Sequence, residues 1–202
     1  MSWEDVGGLA HAKAVVDETI RLPLERPELF KNGLKRRSGL LFYGPPGSGK
    51  TLIAKAIATM FSLNFLSVKG PELLDMYIGE SEANVRRVFQ KARDASPCVI
   101  FFDELDSIAP KRGEKGDSGG VMDRIVSQIL AELDTVNGGD ESKAVFVIGA
   151  TNRPDLLDSA LLRPGRFDKL LYLGVSEDHE SQEQILKALT RKYTFLFIIS
   201  II

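Results

Sequence analysis

The sequence predicts an α/β fold in which helices flank a doubly wound, parallel sheet of five strands. Short apolar runs predict the strands, at residues 39–43, 64–68, 98–102, 145–149 and 170–173. The central runs are almost continuously apolar, which is typical of strands that are buried on both faces of a parallel sheet. Segments with helical spacing separate several of these runs, and such an alternation favours an α/β sheet.

Three segments have the apolar periodicity of helices, at residues 50–61, 80–95 and 122–136. Leu52 belongs to the apolar stripe of the first helix, and Ser81 is a predicted N-cap of the second. Two polar segments rich in glycine, 111–120 and 137–142, are predicted to be loops.

Composition excludes several classes of protein. The chain has 202 residues, of which 44% are hydrophobic and 27% charged, as in one globular domain or one domain plus a fragment. A net charge of -2 argues against nucleic acid as the main ligand. The single cysteine excludes an internal disulfide, and with only two histidines beside it a Cys/His zinc site is excluded too.

No segment has the pattern of a targeting signal or of a transmembrane helix. The N-terminus is acidic and rich in turn residues, which is not the pattern of a signal peptide. The longest uncharged apolar stretch, 193–202, is shorter than the roughly 20 residues that a membrane-spanning helix needs. We therefore expect a cytosolic, reducing compartment.

Residues 44–51 fit the phosphate-binding pattern G-x-x-x-x-G-K-[ST] between a predicted strand and a predicted helix. Glycines let backbone N–H groups turn towards a phosphate, and the helix N-terminus adds partial positive charge. Lys50 is predicted to reach the β- and γ-phosphates, and the Thr51 hydroxyl to hold Mg²⁺. The alternative is a chance glycine-rich turn, which a chain of this length shows roughly once in a hundred.

Two carboxylates follow the third apolar run. Asp103 is a candidate for holding Mg²⁺ through water, and Glu104 is the candidate base that polarises an attacking water. The alternative is that this pair simply ends a buried strand in solvent. Since the base-reading segment of GTPases and the catalytic loops of kinases do not occur in the sequence, ATP is the predicted nucleotide.

Several motifs, in the right order along the chain, resemble those of the AAA ATPase family. They span residues 3 to about 193 and are 5–9, 44–51, 101–107, 149–155 and 162–168. Two further stretches, 67–81 and 116–124, resemble the peroxisome-biogenesis members of that family. The resemblance implies the P-loop NTPase fold of AAA proteins and an Mg-dependent hydrolysis of ATP.

The resemblance also implies roles for single residues. Asn152 would sense the γ-phosphate and help to place the water, while Arg163 and Arg166 would act as arginine fingers on a neighbour's nucleotide. The alternative for the arginines is a surface loop pair that is salt-bridged to Asp168. The implied nucleotide contacts are Asp5, Val6, Gly7, Gly8, Pro46, Gly47, Ser48, Gly49, Lys50, Thr51, Leu52 and Asp103.

A substrate loop is implied between the second strand and the next helix. Tyr77, Ile78 and Gly79 would line the central pore of a ring and grip an extended protein chain. The alternative is that Tyr77 is an ordinary, half-buried hydrophobic residue of a loop.

The resemblance divides the chain into three parts. Residues 1–175 would form the large nucleotide-binding domain, 176–193 the start of a truncated helical lid, and 194–202 an atypical apolar tail. The tail is rich in β-branched and aromatic residues, which is the pattern of an aggregation-prone segment.

The implied function is that of a motor domain in a hexameric protein-remodelling machine, in a ring with a related AAA peroxin. It would extract import receptors at the cytosolic face of the peroxisomal membrane, recruited from the cytoplasm through its partners. An alternative is an ATP-binding interaction module that cannot hydrolyse ATP because the lid is incomplete. A third hypothesis, a DNA-dependent AAA protein such as a clamp loader, is disfavoured by the net charge of -2.

Overall fold

The structure is a computed structural model that describes residues 3–26, 28, 39–74, 80–110, 119–138, 144–174 and 178–191. Two predicted features, the substrate loop at 77–79 and the apolar tail at 194–202, lie outside the described residues. Among the helices that are described, none is both long and apolar enough to cross a membrane.

A five-stranded sheet forms the centre of the described fold. Its strands are β1 (Gly39–Tyr43), β2 (Asn64–Lys69), β3 (Cys98–Asp103), β4 (Val145–Thr151) and β5 (Phe167–Tyr172). Their order in the sheet is β2-β3-β4-β1-β5. All pairs of neighbouring strands are parallel, so their carboxyl ends meet at one edge of the sheet. The predicted parallel α/β sheet is confirmed.

Helices connect and flank the strands. They are α1 (Ala10–Val16), α2 (Leu22–Glu25), α3 (Lys50–Met60), α4 (Glu80–Asp94), α5 (Gly119–Gly138) and α6 (His179–Thr190). A π-helical turn at Asp17–Arg21 joins α1 to α2. The Asp178 side chain accepts a hydrogen bond from the Ser181 backbone N–H at 2.8 Å and so caps the start of α6.

The core lies on both faces of the sheet because successive side chains of a strand point in opposite directions. Leu40 and Phe42 of β1 belong to the core that also contains α1 and α3 residues. Leu41 belongs to the core on the other face, which α4 and α5 cover. Every residue of β4 is buried, as the continuous apolar run predicts.

Some predicted boundaries are wrong by a few residues. β5 begins at Phe167 rather than 170, because its first residues pair with β1 although two of them are charged. α5 begins at Gly119, inside a segment predicted to be a loop, so glycines at a helix end misled the prediction. α4 begins at Glu80, which places Ser81 in its first turn, buried, and not at the N-cap.

Candidate functional site

A glycine-rich loop at 44–49 leads from β1 into α3. Gly47 and Gly49 adopt φ angles of 76° and 89°, a region that residues with a side chain rarely enter. The loop therefore folds back over the first turn of α3, where helix N–H groups point towards an incoming anion.

Lys50, the first residue of α3, lies inside this loop and is only 8% exposed. Its Nζ donates hydrogen bonds to the carbonyl oxygens of Gly44 at 2.9 Å and of Pro45 at 2.7 Å, and to Ser48 Oγ at 3.3 Å. Burial lowers the pKa of this ammonium, while the carboxylates of Asp103 and Asp106 oppose that shift. The positively charged Lys50 side chain thus lies within the loop at which the motif predicts that a phosphate binds.

Thr51 and Asp103 are brought together from residues far apart in the sequence. Thr51 Oγ1, in the first turn of α3, donates to Asp103 Oδ2 at the end of β3 over 3.0 Å. The other carboxylate oxygen, Oδ1, accepts the backbone N–H of Glu104 at 3.0 Å. Hydroxyl and carboxylate oxygens are the ligands that Mg²⁺ prefers, so this pair fits a magnesium ion that keeps several of its waters.

Glu104 follows Asp103 directly and is exposed at the carboxyl edge of the sheet. Its backbone lies in the left-handed region, with φ 53° and ψ 46°. A residue with a side chain is uncommon there, and such strained positions cluster at functional sites. The structure thus places the predicted base beside the predicted metal ligand, in an unusual backbone conformation.

Asn152 follows the last residue of β4, which lies between β1 and β3, and it is exposed at the same edge. The hydroxyl of Thr151 donates to Asp106 Oδ1 at 2.6 Å and accepts the Arg153 N–H at 2.9 Å. The hydrogen bond to Asp106 connects the end of β4 to the turn that follows Glu104. Sequence reasoning assigned no role to Thr151 or Asp106, although a hydroxyl at the end of an apolar strand was an available signal.

A cavity of about 590 Å³ opens next to the glycine loop. It is lined by predicted nucleotide contacts, namely Asp5, Val6, Gly7, Pro46, Gly47, Ser48, Gly49 and Leu52. Gly8 instead lines a smaller neighbouring cavity. The far wall is formed by α6 through Gln182, Ile185, Leu186 and Leu189. Sequence reasoning placed these residues at the start of the lid but did not name them as nucleotide contacts. An apolar cavity beside a phosphate loop suits the base of a nucleotide.

The N-terminal segment packs directly on α6 at this cavity. A Cβ on Gly7 would lie 2.4 Å from Ile185 Cα and 2.5 Å from the Gln184 carbonyl oxygen, so only glycine allows this approach. Arg191 forms an ion pair with Glu4 and lies 3.6 Å from Asp5 Oδ1. Two walls of the cavity are therefore held together by contacts between segments that lie far apart in the sequence.

The two predicted arginine fingers differ in their surroundings. Arg163 is exposed, whereas Arg166 donates from Nε and Nη2 to the two carboxylate oxygens of Asp134, at 3.1 and 2.9 Å. The alternative that paired them with Asp168 is wrong for Arg166, because its salt bridge is made with Asp134. Asp168 Oδ2 accepts the Gly165 N–H at 3.4 Å. Arg166 immediately precedes β5, so it lies at the amino edge of the sheet, away from the glycine loop.

Comparisons with known proteins identify the family to which the sequence is similar. The family model described as "ATPase family associated with various cellular activities (AAA)" matches residues 40–175. A protein named Peroxisomal ATPase PEX6 from Colletotrichum orbiculare is 77% identical over 195 residues, which are 96% of this chain and 14% of that protein. Proteins of the same name from Penicillium chrysogenum and Komagataella phaffii are 77% and 73% identical, over 13% and 17% of their lengths. The chain thus spans about one seventh of these curated relatives.

Proposed function

The chain belongs to the AAA family of ATPases, whose model covers residues 40–175, and from this premise we propose that it is an ATP-hydrolysing motor domain. The observation that carries the proposal is the contact between Thr51 Oγ1 and Asp103 Oδ2 at 3.0 Å. It joins the end of the phosphate loop to the strand that ends in Glu104. The residues needed to bind a nucleoside triphosphate and to activate water therefore meet at one edge of the sheet.

Binding is assigned to the loop and the cavity. Lys50 neutralises charge on the β- and γ-phosphates, and Val6, Gly7 and Gly8 lie against the adenine. Thr51 and Asp103 hold Mg²⁺, which when bound offsets negative charge on the phosphate oxygens. The cavity of about 590 Å³ supports this assignment, since Val6 and Gly7 line it.

Hydrolysis is assigned to Glu104 and Asn152. Water attacks the γ-phosphorus in line with the bond to the leaving ADP oxygen, and Glu104 accepts a proton from that water. Asn152 donates a hydrogen bond that aligns the reactants without adding charge. The products are ADP and inorganic phosphate. The Thr151–Asp106 hydrogen bond of 2.6 Å supports this pairing, because it links the segments that carry the two residues.

Arg163 and Arg166 complete the site of a neighbouring subunit. Their position before β5, at the amino edge of the sheet, supports action in trans, because the chain's own phosphate loop follows the carboxyl end of β1. A guanidinium supplied in this way is worth about 10³ or more in rate. Action in trans requires an assembly of several subunits, and we propose a hexameric ring, as the resemblance to the AAA family implies.

For the biological setting, the proposal is supported by the relatives named Peroxisomal ATPase PEX6, which are 72–77% identical across 96% of the chain. The ring contains a related AAA peroxin, and its task is the extraction and recycling of import receptors at the cytosolic face of the peroxisomal membrane. The substrate chain is gripped by Tyr77, Ile78 and Gly79. Residues 1–175 form the large domain and 176–193 begin the helical lid.

The roles of Lys50 and Glu104 are tested by separating ATP binding from turnover. Glu104→Gln is expected to keep Mg-ATP binding. Its turnover is expected to fall at least about 100-fold, because the variant lacks the general base that accepts a proton from water. Lys50→Ala is expected to weaken binding itself, and Lys55→Ala, on the exposed side of the same helix, serves as its control. Equal loss of binding in the Lys50 and Glu104 variants contradicts the assignment.

Assembly is tested by the steady-state ATPase rate of the chain as a function of its concentration. A specific activity that rises with concentration indicates sites completed by neighbouring subunits. A rate that stays near zero while ATP is bound points to the alternative, an interaction module without turnover.

A further inference from the structure

We propose that Gly70 and Ser107 are positioning residues for Glu104, fixing the strained backbone that carries its carboxylate. The inference rests on the hydrolytic role proposed for Glu104. Neither residue belongs to the phosphate loop or to the cavity beside it, and their contacts are made with the Glu104 backbone.

The Glu104 carbonyl oxygen accepts two hydrogen bonds from one residue. The backbone N–H of Ser107 lies 3.0 Å away and its Oγ 2.7 Å away. The N–H of Glu104 donates to Asp103 Oδ1 at 3.0 Å. Both backbone groups of Glu104 are thus held, and this supports a φ of 53° that is unfavourable for a residue with a side chain.

Gly70 closes the site from the neighbouring strand. β2 and β3 pair in a register that sets Lys69 beside Asp103, so Gly70 comes next to Glu104. A Cβ on Gly70 would lie 2.6 Å from the Glu104 carbonyl oxygen and 2.1 Å from Ser107 Oγ. The absence of a side chain at Gly70 therefore lets the 3-10 helix that follows β2, Gly70–Leu73, approach the hydrogen-bonded carbonyl.

This arrangement sets the direction of the catalytic carboxylate, because a side chain leaves its backbone at a fixed angle. Misplacement of a catalytic group by about 1 Å costs about 100-fold in rate. Apart from Asp103, the residues proposed to bind ATP lie in the N-terminal segment, in the phosphate loop and in the first turn of α3. Loosening of the Glu104 backbone is therefore expected to lower turnover and to leave ATP affinity unchanged. A purely structural role would lower stability without this separation.

The first test compares variants of Ser107 in the full 202-residue chain. Ser107→Ala is expected to lower kcat about fivefold, the rate equivalent of one lost hydrogen bond, with the Kd of a fluorescent ATP analogue unchanged. Ser107→Thr keeps a hydroxyl and is expected to restore most of the rate. Ser127→Ala is the matched control, because Ser127 Oγ also donates to a carbonyl, that of Asp123, at 2.7 Å. A kcat of Ser107→Ala equal to that of the control overturns the proposal.

The second test asks whether the effect passes through Glu104. In a Glu104→Gln background, Ser107→Ala is expected to cause no further loss of the residual rate. The same fivefold loss in that background overturns the positioning role while leaving the hydrolytic role of Glu104 intact. Full activity of Glu104→Gln alone would overturn the proposed function, and this inference with it.

Gly70→Ala tests the contact from β2. We expect kcat to fall by more than about tenfold at unchanged affinity for the ATP analogue, since the added methyl group must push the carbonyl away. Thermal unfolding of the same variant shows whether it folds, and the Ser107 variants decide the proposal if it does not. A folded Gly70→Ala variant with the parent's kcat contradicts the role of Gly70.

Discussion

Arg166 and Asp134 of the same chain form a bidentate ion pair, with Nε and Nη2 of the arginine 3.1 and 2.9 Å from the two carboxylate oxygens. The remaining nitrogen, Nη1, donates to the Ala160 carbonyl at 2.8 Å. The Arg166 guanidinium is therefore occupied within its own subunit, whereas Arg163 is exposed. Of the two proposed fingers, we therefore expect Arg163 to reach a neighbour more readily, because Arg166 would first have to give up its bonds to Asp134 and Ala160.

We predict that Arg163→Ala loses most of its ATPase activity but regains it when mixed with Lys50→Ala. Each variant keeps what the other lacks, because Lys50→Ala has an intact arginine and Arg163→Ala an intact nucleotide site. The mixture is expected to exceed the sum of the separate rates by at least about tenfold, given the value of an arginine supplied in trans. The measurement is the steady-state rate over a range of mixing ratios, and simple additivity would argue against action in trans.

The ion pair predicts a pH dependence of stability. The hydrogen bond from Arg166 holds the pKa of Asp134 below its ordinary value of 3.8. A depressed pKa stabilises the fold above that ordinary value, and the stabilisation is lost as the pH falls through the folded-state pKa. Since the Asp134 side chain is 57% exposed, screening limits the gain to about 1 kcal/mol.

The measurement is the free energy of unfolding of the parent and of Asp134→Asn, in urea, at pH 7 and at pH 3. At pH 7 the parent is expected to be more stable than Asp134→Asn. The difference in free energy of unfolding between the two proteins is expected to be smaller at pH 3. A difference that is the same at both pH values would show that the charge of Asp134 does not contribute.

Magnesium dependence is predicted to rest on the Thr51 hydroxyl. Thr51→Ala removes the oxygen that lies 3.0 Å from Asp103 Oδ2. We expect the Mg²⁺ concentration for half-maximal ATPase activity to rise about tenfold, whereas Thr51→Ser keeps the parent's value. Thr59→Ala is the control on the same helix, where the hydroxyl donates to the Lys55 carbonyl and not to a carboxylate. If Thr51→Ala has the same Mg²⁺ requirement as the parent, the Thr51 hydroxyl is not a ligand of the metal.

The contact between Gly7 and α6 is predicted to set nucleotide affinity. In Gly7→Ala the added Cβ must displace the Ile185 backbone, which opens the wall between the N-terminal segment and α6. We expect the Kd of a fluorescent ATP analogue to rise about tenfold, the equivalent of a moderate overpacking cost. His11→Ala, at an exposed position of α1, is the control. If a folded Gly7→Ala variant binds the ATP analogue with unchanged affinity, the contact between Gly7 and α6 does not contribute to nucleotide binding.

Local patterns were sufficient to predict the parallel sheet and the residues of the phosphate loop. Lys50 and Thr51 follow a glycine loop within one strand-loop-helix unit, so their placement depends on neighbouring residues alone. Asp103 and Glu104 end a buried strand, and a parallel sheet brings that end to the same edge. Chain geometry over a few residues therefore predicts most of the phosphate end of the site.

Contacts between distant segments could not be predicted in this way. The Arg166–Asp134 pair joins residues that are 32 positions apart, and the approach of Gly70 to Ser107 depends on the register of β2 and β3. The wall of the cavity formed by α6 depends on where that helix packs, which its own periodicity does not specify. Each of these contacts depends on how distant elements pack or pair, which no local pattern contains.

The position of β1 between β4 and β5 has a consequence for synthesis of the protein. β1 ends at Tyr43, yet its partners are β4, which starts at Val145, and β5, which ends at Tyr172. During translation, the apolar residues of β1 leave the ribosome long before either partner exists, and such non-local pairing forms slowly. The phosphate loop therefore follows a strand that has no pairing partner until most of the domain has been synthesised. A chaperone that covers β1 during this time would raise the yield of folded protein.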